Sequence, residues 1–325
     1  MRAGSLVGLI VVLVVAALAS VSFGAVAIAP ADVWAALRGE GAAATLTIVR
    51  DLRLPRTALG ILVGAALGAS GTAMQSSLRN GLAEPYLLGV SGGAAVGAVL
   101  AVGLGVQGTG GLAAFAFLGA LAAIVVVLGL GRDRYGARHP ATLLMAGVVT
   151  GAFANAVIMV VLAQSTPTAQ RNALWWMMGS IAAARWADVA WLGAAVVGLG
   201  GCLVHYAREL DVLALGPETA ASLGVTPERA AVRFFVLASL LAAATVAASG
   251  LVGFVGLIVP HVARGLVGVG SSRRTIVVAA AAGGALVLVA DLAARTARAP
   301  TELPLGAITA LLGVPFFLRQ LRSAR

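Results

Sequence analysis

The sequence contains no lysine, and all 22 of its basic residues are arginine. A phosphate-binding loop of the G-x-x-x-x-G-K-[ST] type needs its lysine to reach the terminal phosphates of a nucleotide. The chain therefore has no such loop, and we expect it to bind no ATP itself. Any step that consumes ATP must take place on another chain.

Charged residues are also scarce. Only 10% of the 325 residues are charged and 60% are hydrophobic, and the mean hydropathy is +1.02. A soluble domain of this composition could not cover its surface with polar groups. Apolar segments of about 20 residues, the length that crosses the hydrocarbon core of a bilayer, recur along the whole chain. The sequence thus predicts an all-α protein that crosses a membrane many times.

Cysteine and metal-ligand patterns are nearly absent. Cys202 is the only cysteine, so an intrachain disulfide is excluded, and its place in an apolar run predicts a small buried side chain. His139, His205 and His261 are isolated from one another, and no nucleophile stands beside a base. We therefore expect neither a metal site nor a catalytic centre.

The net charge of +10 does not indicate nucleic-acid binding, because the arginines occur singly or in pairs between apolar runs rather than along one stripe. Asp291 is the one acidic residue that falls deep in an apolar run. A charge within a membrane span usually faces the protein interior. Capping, or pairing with Arg295 four residues later, is the simpler explanation for it.

Charges, prolines and glycine clusters divide the chain into ten apolar segments, each able to cross a membrane. The predicted spans are 5–29, 54–78, 86–106, 112–131, 141–163, 187–206, 231–250, 251–269, 275–294 and 304–320. The first imitates a secretory signal, but it exceeds the usual ~7–15 residues of a signal core, so we expect a retained span. The run 173–184, which contains Trp175 and Trp176, is too short to cross and is predicted as a partial or interfacial helix.

Ten spans place both termini on the same side of the membrane. With the termini in the cytoplasm, the cytoplasmic arginines are 2, 79, 132, 134, 138, 208, 229, 233, 264, 273, 274, 319, 322 and 325. The external arginines are 38, 50, 53, 56, 171, 185, 295 and 298. Fourteen cytoplasmic against eight external arginines agrees with the positive-inside rule.

A weak internal repeat links two of the spans. The span after Arg56 ends in Ala-Ser-Gly at 69–71, and the span after Arg233 ends in Ala-Ser-Gly at 248–250. The second of these two spans follows the first by five positions in the order of spans, so the two units would be inverted relative to each other. Inverted repeats occur in transporters, where the substrate path lies between the halves. Alanine-rich helices also resemble one another by chance, so the repeat carries little weight alone.

The stretch 207–229, which is cytoplasmic in this topology, is the most informative polar part of the chain. Gly216 and Pro217 predict the start of a short helix there. Glu218 suits the positive end of that helix, and Gly224 can end it. A helix this short is marginal in water by itself. We therefore prefer an interaction surface held by a partner over an ordinary loop with capped ends.

Five stretches, in order along the chain, resemble the FecCD-type permeases of ATP-binding-cassette (ABC) importers for ferric siderophores, haem and vitamin B12. They are RLPRTALGILVGAALGASGTAMQSSLRNGLAEPYLLGVSGGAAVGA at 53–98, WWMMGS at 175–180, DVLALGPETAASLGVTPER at 211–229, SGLVGFVGLIVPHVAR at 249–264 and ELPLGAITALLGVPFFL at 302–318. An ordered set is more specific than any single motif. The resemblance implies ten spans, the type II permease architecture of ABC importers, and a bacterial inner membrane.

The same resemblance implies partners. These are a second copy of the chain, two copies of a cytoplasmic ATP-binding subunit that holds ATP and Mg²⁺, and a periplasmic or lipid-anchored substrate-binding protein. The chain itself would bind no cofactor and no nucleic acid, and its remaining surface would contact membrane lipid. A homodimer of this kind encloses a central path, and Ser91, Thr150 and Asn155 are predicted to line it.

In the family, arginines at the outer ends of the second and ninth spans meet acidic residues of the binding protein. The resemblance therefore identifies Arg53, Arg56 and Arg295 as docking residues. A planar guanidinium suits this role because it can hold a carboxylate with two hydrogen bonds. The alternative is that the three arginines anchor span ends at the membrane surface.

Residues 215–225 resemble the helix that couples such permeases to the ATPase. The predicted contact residues there are Leu215, Gly216, Pro217, Glu218, Thr219, Ser222, Leu223 and Gly224. Changes in this segment are expected to uncouple ATP hydrolysis from transport without preventing the binding protein from docking.

Two other classes of function stay open at this point. A secondary transporter driven by an ion gradient fits an inverted repeat, but not the scarcity of ionisable residues within the spans. An intramembrane enzyme would need a catalytic constellation, which the sequence lacks. The cargo stays open between a ferric siderophore, the commonest cargo of the family, haem and cobalamin.

Overall fold

The computed structural model describes residues 3–24, 26–106, 108–132, 139–268 and 270–323. Arginines 2, 134, 138 and 325, which contributed to the charge count, lie outside these ranges. The described part contains helices and no strands. The α-helices are α1 (Ala3–Ser22), α2 (Pro30–Arg38), α3 (Ala43–Thr47), α4 (Leu54–Ser77), α5 (Val90–Gly103), α6 (Thr109–Leu130), α7 (Pro140–Ala163), α8 (Pro167–Met177), α9 (Trp186–Ala195), α10 (Gly201–Leu213), α11 (Pro217–Ser222), α12 (Pro227–Ser249), α13 (Val255–Val267), α14 (Ser272–Thr296) and α15 (Leu305–Ser323).

Six helical segments of the described chain are long and apolar enough to cross a membrane. They are Ala43–Ser77, Thr109–Leu130, Pro140–Ala163, Trp186–Leu213, Pro227–Ser249 and Ser272–Thr296. The first joins α3 to α4, and the fourth joins α9 to α10, each through a π-helical stretch. Four shorter apolar helices are Leu6–Ser22, Val90–Gly103, Val255–Val267 and Leu305–Phe316. Every predicted span overlaps one of these ten helices.

The predicted boundaries fail mainly in the first fifty residues. The first helix ends at Ser22, seven residues before the predicted end. A separate short helix, α2, follows, because Pro30 suits its first position and Gly39, in the left-handed conformation, ends it. The second span begins at Ala43 rather than at residue 54. Arg53 and Arg56 are therefore inside a continuous helix and not at its end.

The helix α8 covers residues 173–177 of the run 173–184, which was predicted as a partial or interfacial helix, and the rest of that run is not helical. The helix has 11 residues and begins with Thr166 as its N-cap, whose side chain accepts a hydrogen bond from the backbone N–H of Ala169. The tryptophans at its C-terminal end are followed by a turn at Gly179, which has a φ of +73°. The chain then continues without helix to Trp186.

The centre of the fold is α4, against which α12, α13 and α14 pack. Small residues let the backbones of α4 and α14 approach closely. A Cβ atom built on Gly64 would lie 2.1 Å from the carbonyl oxygen of Gly283, and one on Gly68 would lie 2.3 Å from that of Ala279. Close backbone approach through small residues is a principal way in which helices associate in membranes.

The helices α5 and α13 are short because irregular backbone precedes each of them. A 3₁₀ turn, Pro85–Leu88, leads into α5, and residues 251–254 lead into α13. Gly256, in the first turn of α13, lies against the carbonyl oxygen of Leu67 in the middle of α4. The irregular segment before α13 thus lies inside the bundle. Irregular backbone at that depth is tolerated only where protein or a cavity surrounds it.

Large apolar side chains cover much of the outer surface of the bundle. Phe153 and Met159 on α7 are 71% and 73% exposed, and Leu311 on α15 is 70% exposed. Val125 on α6 and Val197 in the segment that joins α9 to α10 are similarly exposed. A surface of this kind needs a lipid or protein environment.

Candidate functional site

One end of the bundle contains Arg56 and Arg295, and we call it the outer end; the end that contains α11 is called the inner end. Arg56 and Arg295 form an ion cluster with Asp291 and Glu302, called here the outer ion cluster. The four residues come from α4, from the last turns of α14, and from the loop between α14 and α15. The guanidinium of Arg56 is at the centre of the cluster.

Arg56 donates hydrogen bonds to both carboxylates. Its Nη1 and Nη2 atoms lie 2.8 and 2.9 Å from Oε1 and Oε2 of Glu302. Its Nη2 and Nε atoms lie 2.8 and 3.1 Å from Oδ1 of Asp291. This is a bidentate arrangement on each side of a single planar group, the strongest form of charge-assisted hydrogen bond.

Asp291 also pairs with Arg295, one helical turn later in α14. The Oδ2 atom of Asp291 lies 3.4 Å from Nε of Arg295, as expected for charges at i and i+4. The sequence interpretation proposed this pairing. The second partner, Arg56, was not expected. Asp291 is 1% exposed, so the two guanidinium groups replace the water that its charge would otherwise need.

The two other predicted docking arginines hold the C-terminal end of α1. Arg53 donates to the carbonyl oxygens of Val21 and Ser22, each at 2.8 Å, and to that of Val26. Arg295 donates through Nη2 to the carbonyl oxygen and the hydroxyl of Ser20, at 2.9 and 2.7 Å. The last carbonyls of a helix have no partner within it, and arginine side chains can supply one.

The structure therefore places Arg53, Arg56 and Arg295 together at the outer end, but not on the surface. They are 6%, 9% and 5% exposed, and each has partners within the chain. Their docking role stays a prediction, which the proposals below take up. Glu302, which sequence reasoning missed, is the partly exposed member of the outer ion cluster. The hydrogen bond from Arg56 holds the pKa of Glu302 below its usual value.

Two of the exposed arginines at the outer end, Arg38 and Arg185, have local partners. Arg38 lies 3.3 Å from Glu40 and stacks over the ring of Trp34. Arg185 lies 3.2 Å from Asp188 and forms a capping box with it at the start of α9. Exposed pairs of this kind contribute little to stability.

The segment predicted to couple to an ATPase forms the helix that the sequence indicated. The helix α11 covers Pro217–Ser222, between Gly216 and Gly224, whose φ angles are +108° and +83°. Ala220 alone is buried in it. Most of the predicted contact residues, Leu215, Pro217, Glu218, Thr219, Ser222, Leu223 and Gly224, are exposed, and Gly216 is half-buried.

A groove of about 440 Å³ runs beside α11, between it and the start of α12. Its lining residues include Glu218, Ala221, Val225 and Glu228. Leu215 and Leu223, which flank the helix, are 63% and 59% exposed. Two leucines and a groove on a polar segment form a surface suited to a protein partner.

Ion pairs and hydrogen bonds fix the base of this segment to the rest of the fold. Glu209 on α10 pairs with Arg233 on α12, and the Arg233 guanidinium lies 4.4 Å from the ring centroid of Tyr206. Asp211 accepts a hydrogen bond of 2.7 Å from the backbone N–H of Ser272. This last contact joins the end of α10 to the start of α14.

The residues predicted to line a path are only partly brought together. Ser91 on α5 donates to the carbonyl oxygen of Tyr86, and Thr150 on α7 donates to that of Ala146, at 2.8 and 2.7 Å. Thr150 is buried, and Ser91 lies in the half-buried face of α5. Asn155 is exposed on α7, one helical turn from the exposed Met159, as a polar group on an apolar face.

Glu84 is, like Asp291, a buried carboxyl group. The sequence interpretation did not single it out. Glu84 is 7% exposed, lies between α4 and α5, and accepts a hydrogen bond of 2.8 Å from the backbone N–H of Phe254. That N–H is at the start of α13, where the helix has no internal acceptor for it. Burial raises the pKa of Glu84 to about 7. The contact joins the two irregular segments of the fold.

The prediction for Cys202 is wrong, because its side chain is exposed on α10. The joined helix α9–α10 lies at the periphery, and most of its residues face outward, which the apolar sequence could not distinguish from a core position. Among the described residues no group of histidine, cysteine or carboxylate side chains could hold a metal ion.

The FecCD transport family model matches residues 12–323. The hemin transport system permease protein HmuU of Yersinia pestis is 38% identical over 318 residues, covering 95% of this chain and 92% of that protein. The cobalamin import system permease protein BtuC of Halobacterium salinarum is 42% identical over 277 residues, covering 85% of this chain and 73% of that protein. The vitamin B12 import system permease protein BtuC of Salmonella paratyphi A is 38% identical over 326 residues, covering 98% and 95%.

Two solved structures share the fold. An inward-facing conformation of a metal-chelate type ABC transporter superimposes with a TM-score of 0.85 and 26% identity, covering 98% of each chain. PsaBC from Streptococcus pneumoniae, in complex with Fab, gives a TM-score of 0.55 at 15% identity and covers 82% of this chain and 89% of its own. At that identity the second match concerns the fold alone.

Proposed function

Because the chain belongs to the FecCD transport family, we propose that it is the membrane-spanning permease subunit of an ABC importer and that its cargo is a metal chelate or a metal macrocycle. The observation that carries this proposal is the coincidence of sequence and structural similarity over nearly the entire chain. The described surface agrees with it, because apolar helices cover the middle of the bundle and a polar helix protrudes at the inner end.

The cargo is proposed from the relatives and not from a binding site. HmuU is named for hemin and the two BtuC proteins for cobalamin, and the solved transporter is of the metal-chelate type. A ferric siderophore, haem and a cobalamin share bulk and a chelated metal. We place the ferric siderophore first as the commonest cargo of the family.

The membrane arrangement that we propose has ten spans, with both termini in the cytoplasm of a bacterial cell. Six long helices and four shorter apolar helices supply the spans. All five tryptophans, at positions 34, 175, 176, 186 and 191, belong to elements at the outer end. Tryptophan is enriched at membrane interfaces, so these side chains support a membrane boundary at that end.

An inverted repeat relates the spans formed by α4–α7 to those formed by α12–α15. The helix contacts support it, because they occur in matched pairs. Within the units, α5 packs on α6 and α7, and α13 packs on α14 and α15. Between the units, α4 packs on α13 and α14, and α12 packs on α5 and α6. The second helix of each unit is also the short one that follows irregular backbone.

Three kinds of partner follow from this assignment: a second copy of the chain, a pair of ATP-binding subunits that carry ATP and Mg²⁺, and a substrate-binding protein. We propose that the ATPase binds at α11 and its groove, where Leu215, Glu218 and Leu223 are exposed. The binding protein is proposed to dock at the outer end, above Arg53, Arg56 and Arg295. The second copy is proposed to cover part of the exposed apolar surface of α7 and α15.

Uptake into proteoliposomes tests the proposal. The chain is reconstituted with the ATPase and the binding protein of its importer, and entry of ⁵⁵Fe-siderophore, hemin or ⁵⁷Co-cyanocobalamin is followed. We expect one of these cargoes to enter only when ATP is present, and vanadate to stop its entry. Uptake that continues without ATP and follows an ion gradient would instead establish a secondary transporter.

A further inference from the structure

The two carboxylates that share Arg56 differ in how easily they can leave it. The side chain of Asp291 is 2% exposed and belongs to α14, a continuous helix. The side chain of Glu302 is 39% exposed and belongs to the loop at residues 297–304. An anion that approaches from outside therefore meets Glu302 first. Exchange with Asp291 would require α14 to move.

Charge balance makes such an exchange necessary for any partner that uses Arg56. The outer ion cluster contains two guanidinium groups and two carboxylates, so it is neutral while Glu302 stays in place. Removing one partner from a buried ion pair leaves an uncompensated charge, which is strongly unfavourable. Glu302 can therefore leave only if another anion takes its position on Arg56.

We propose that Glu302 occupies on Arg56 the position of a carboxylate of the substrate-binding protein, and that docking exchanges one carboxylate for the other and releases the loop at residues 297–304. This inference rests on the proposed function. Glu302 acts here as a positioning residue. It keeps Arg56 oriented and the site neutral until the partner arrives, and its departure carries the signal that docking has occurred.

The released loop leads directly into α15. Leu303 donates its N–H to the carbonyl oxygen of Ala294 at 2.8 Å, and Leu305 and Gly306 donate to Gly179 and Met178 at 3.1 and 3.0 Å. A Cβ atom on Gly306 would lie 2.5 Å from the carbonyl oxygen of Leu251. The start of α15 is thus fixed against the segment after α8 and the irregular backbone before α13. Loss of the contact between Glu302 and Arg56 removes one of the contacts that hold the loop before α15 in place.

The first test compares the affinity of the labelled binding protein for the wild-type permease and for Glu302→Gln in nanodiscs. Glutamine keeps the size of the side chain but is a weaker competitor for Arg56. We expect the variant to bind the partner about 5-fold or more tightly, within the usual range of coupling between sites. The matched control is Glu40→Gln, because Glu40 is an exposed glutamate paired with Arg38 at the same end. Its affinity should equal that of the wild type.

The gain in affinity for the binding protein that we expect from Glu302→Gln must depend on Arg56. Glu302→Gln in an Arg56→Gln background should therefore give no gain, and an equal gain there would overturn the proposal. Unchanged or weaker binding by Glu302→Gln alone would also overturn it. Failure of the wild-type chain to bind any substrate-binding protein contradicts the proposed function itself, whereas wild-type binding with an indifferent variant contradicts only the exchange at Glu302.

A second measurement does not depend on how well the Glu302 variant folds. The exposed Cys202 is replaced by serine, and spin labels are attached at Thr301→Cys and Glu40→Cys, both of which are exposed positions. Distances are measured with and without the binding protein, and samples with one label identify contributions between copies. A shift in the Thr301 distance on docking is expected, and an unchanged distribution would overturn the release of the loop.

Discussion

A substitution at Asp291 tests whether the outer ion cluster stabilises the fold, because Asp291→Asn replaces only one oxygen atom of the side chain by nitrogen. Asp291→Asn keeps the shape of the side chain but leaves Arg56 and Arg295 with one carboxylate fewer in a buried site. We expect the variant to lose about 3 kcal/mol or more of stability. Thermal unfolding of the purified protein in one detergent measures the change.

The control for that experiment is Glu40→Gln, which removes an exposed ion pair at the same end. Its effect should stay under about 1 kcal/mol. Equal unfolding temperatures for the two variants would contradict the role assigned to Asp291.

Glu84 predicts a dependence of stability on pH. Its pKa is raised from 4.5 to about 7 by burial, so the folded chain keeps a proton that the unfolded chain releases. The protonated Glu84 contributes to the free energy of unfolding. This contribution is complete below pH 4.5 and is lost as the pH rises through about 7. We expect the unfolding temperature of the wild type, relative to Glu84→Gln, to fall across this window. A constant difference between the two proteins would mean that Glu84 ionises normally.

The contacts and the burial of individual residues were the features that the sequence predicted least well. Sequence reasoning selected Arg53, Arg56 and Arg295, and it flagged Asp291, so the participants were mostly identified. It paired Asp291 with Arg295, one helical turn away, but it could not identify the partners of Arg56, since the contact between Arg56 and Glu302 joins residues 246 positions apart. Nor could it predict burial, because an arginine that follows a proline in a helix looks the same at a surface and in an ion cluster.

At the scale of elements, the contact between α4 and α14 depends on glycine. Gly64→Ala would place a methyl group 2.1 Å from the carbonyl oxygen of Gly283. No side-chain rotation can relieve a contact between Cβ and backbone, so the helices must separate. We expect the free energy of unfolding to fall by about 1–3 kcal/mol, observed as a lower unfolding temperature and less monodisperse protein.

Gly129→Ala is the control, because Gly129 also belongs to a long apolar helix, α6, but has no atom within 4 Å of its added methyl group. Its unfolding temperature should be unchanged. If Gly64→Ala behaves like Gly129→Ala, the close approach of α4 and α14 is not required for folding.

The helix α11 gives a prediction about coupling. Glu218→Arg reverses an exposed charge on this helix, and we expect it to weaken copurification of the ATPase and to lower ATP-driven uptake. Binding of the substrate-binding protein should be unaffected, because that surface lies at the opposite end. Glu40→Arg, the same reversal at the outer end, should leave copurification intact. Loss of ATPase in both variants would indicate a general defect in assembly.

Elements were predicted well where the pattern is local. Pro217 and Gly224 define α11 to within one residue, and the predicted span 141–163 matches α7 to within one residue. The end of α1 and the helical segment at 43–53 that precedes α4 were missed. For α1 the reason is a long-range contact. The carbonyl groups at the end of α1 are satisfied by Arg53, about thirty residues later, and no local signal reports this.

At the scale of the whole molecule, Asn155 predicts where the proposed second copy lies. A polar side chain in a membrane helix usually faces a protein interior or a water-filled path, and Asn155 is exposed on the apolar face of α7 in the single chain. We expect Asn155→Cys, in a Cys202→Ser background, to form dimers with a short bifunctional thiol reagent. The wild type, whose one thiol is Cys202 on α10, should give no cross-linked dimer under the same conditions.

The architecture as a whole was accessible from sequence, since apolar length and ordered motifs decide the fold class and the family. The sequence did not show which segments leave the helical conformation inside the bundle. The predicted spans 86–106 and 251–269 were treated as full helices, but the helices begin at Val90 and Val255. Leucine, valine and glycine fit irregular buried backbone as well as a helix, and only packing against α4 distinguishes them.

The arginine contacts of α1 have a consequence for the order in which the protein is made. The carbonyl end of α1 receives its hydrogen bonds from Arg53 and Arg295, and Arg295 lies 275 residues after its partner Ser20. The end of α1 therefore obtains its final contacts only after α14, which carries Arg295, has been synthesised. Nascent chains that stop before Arg295 would leave that end of α1 incompletely bonded, a defect by which membrane quality control could recognise unfinished copies.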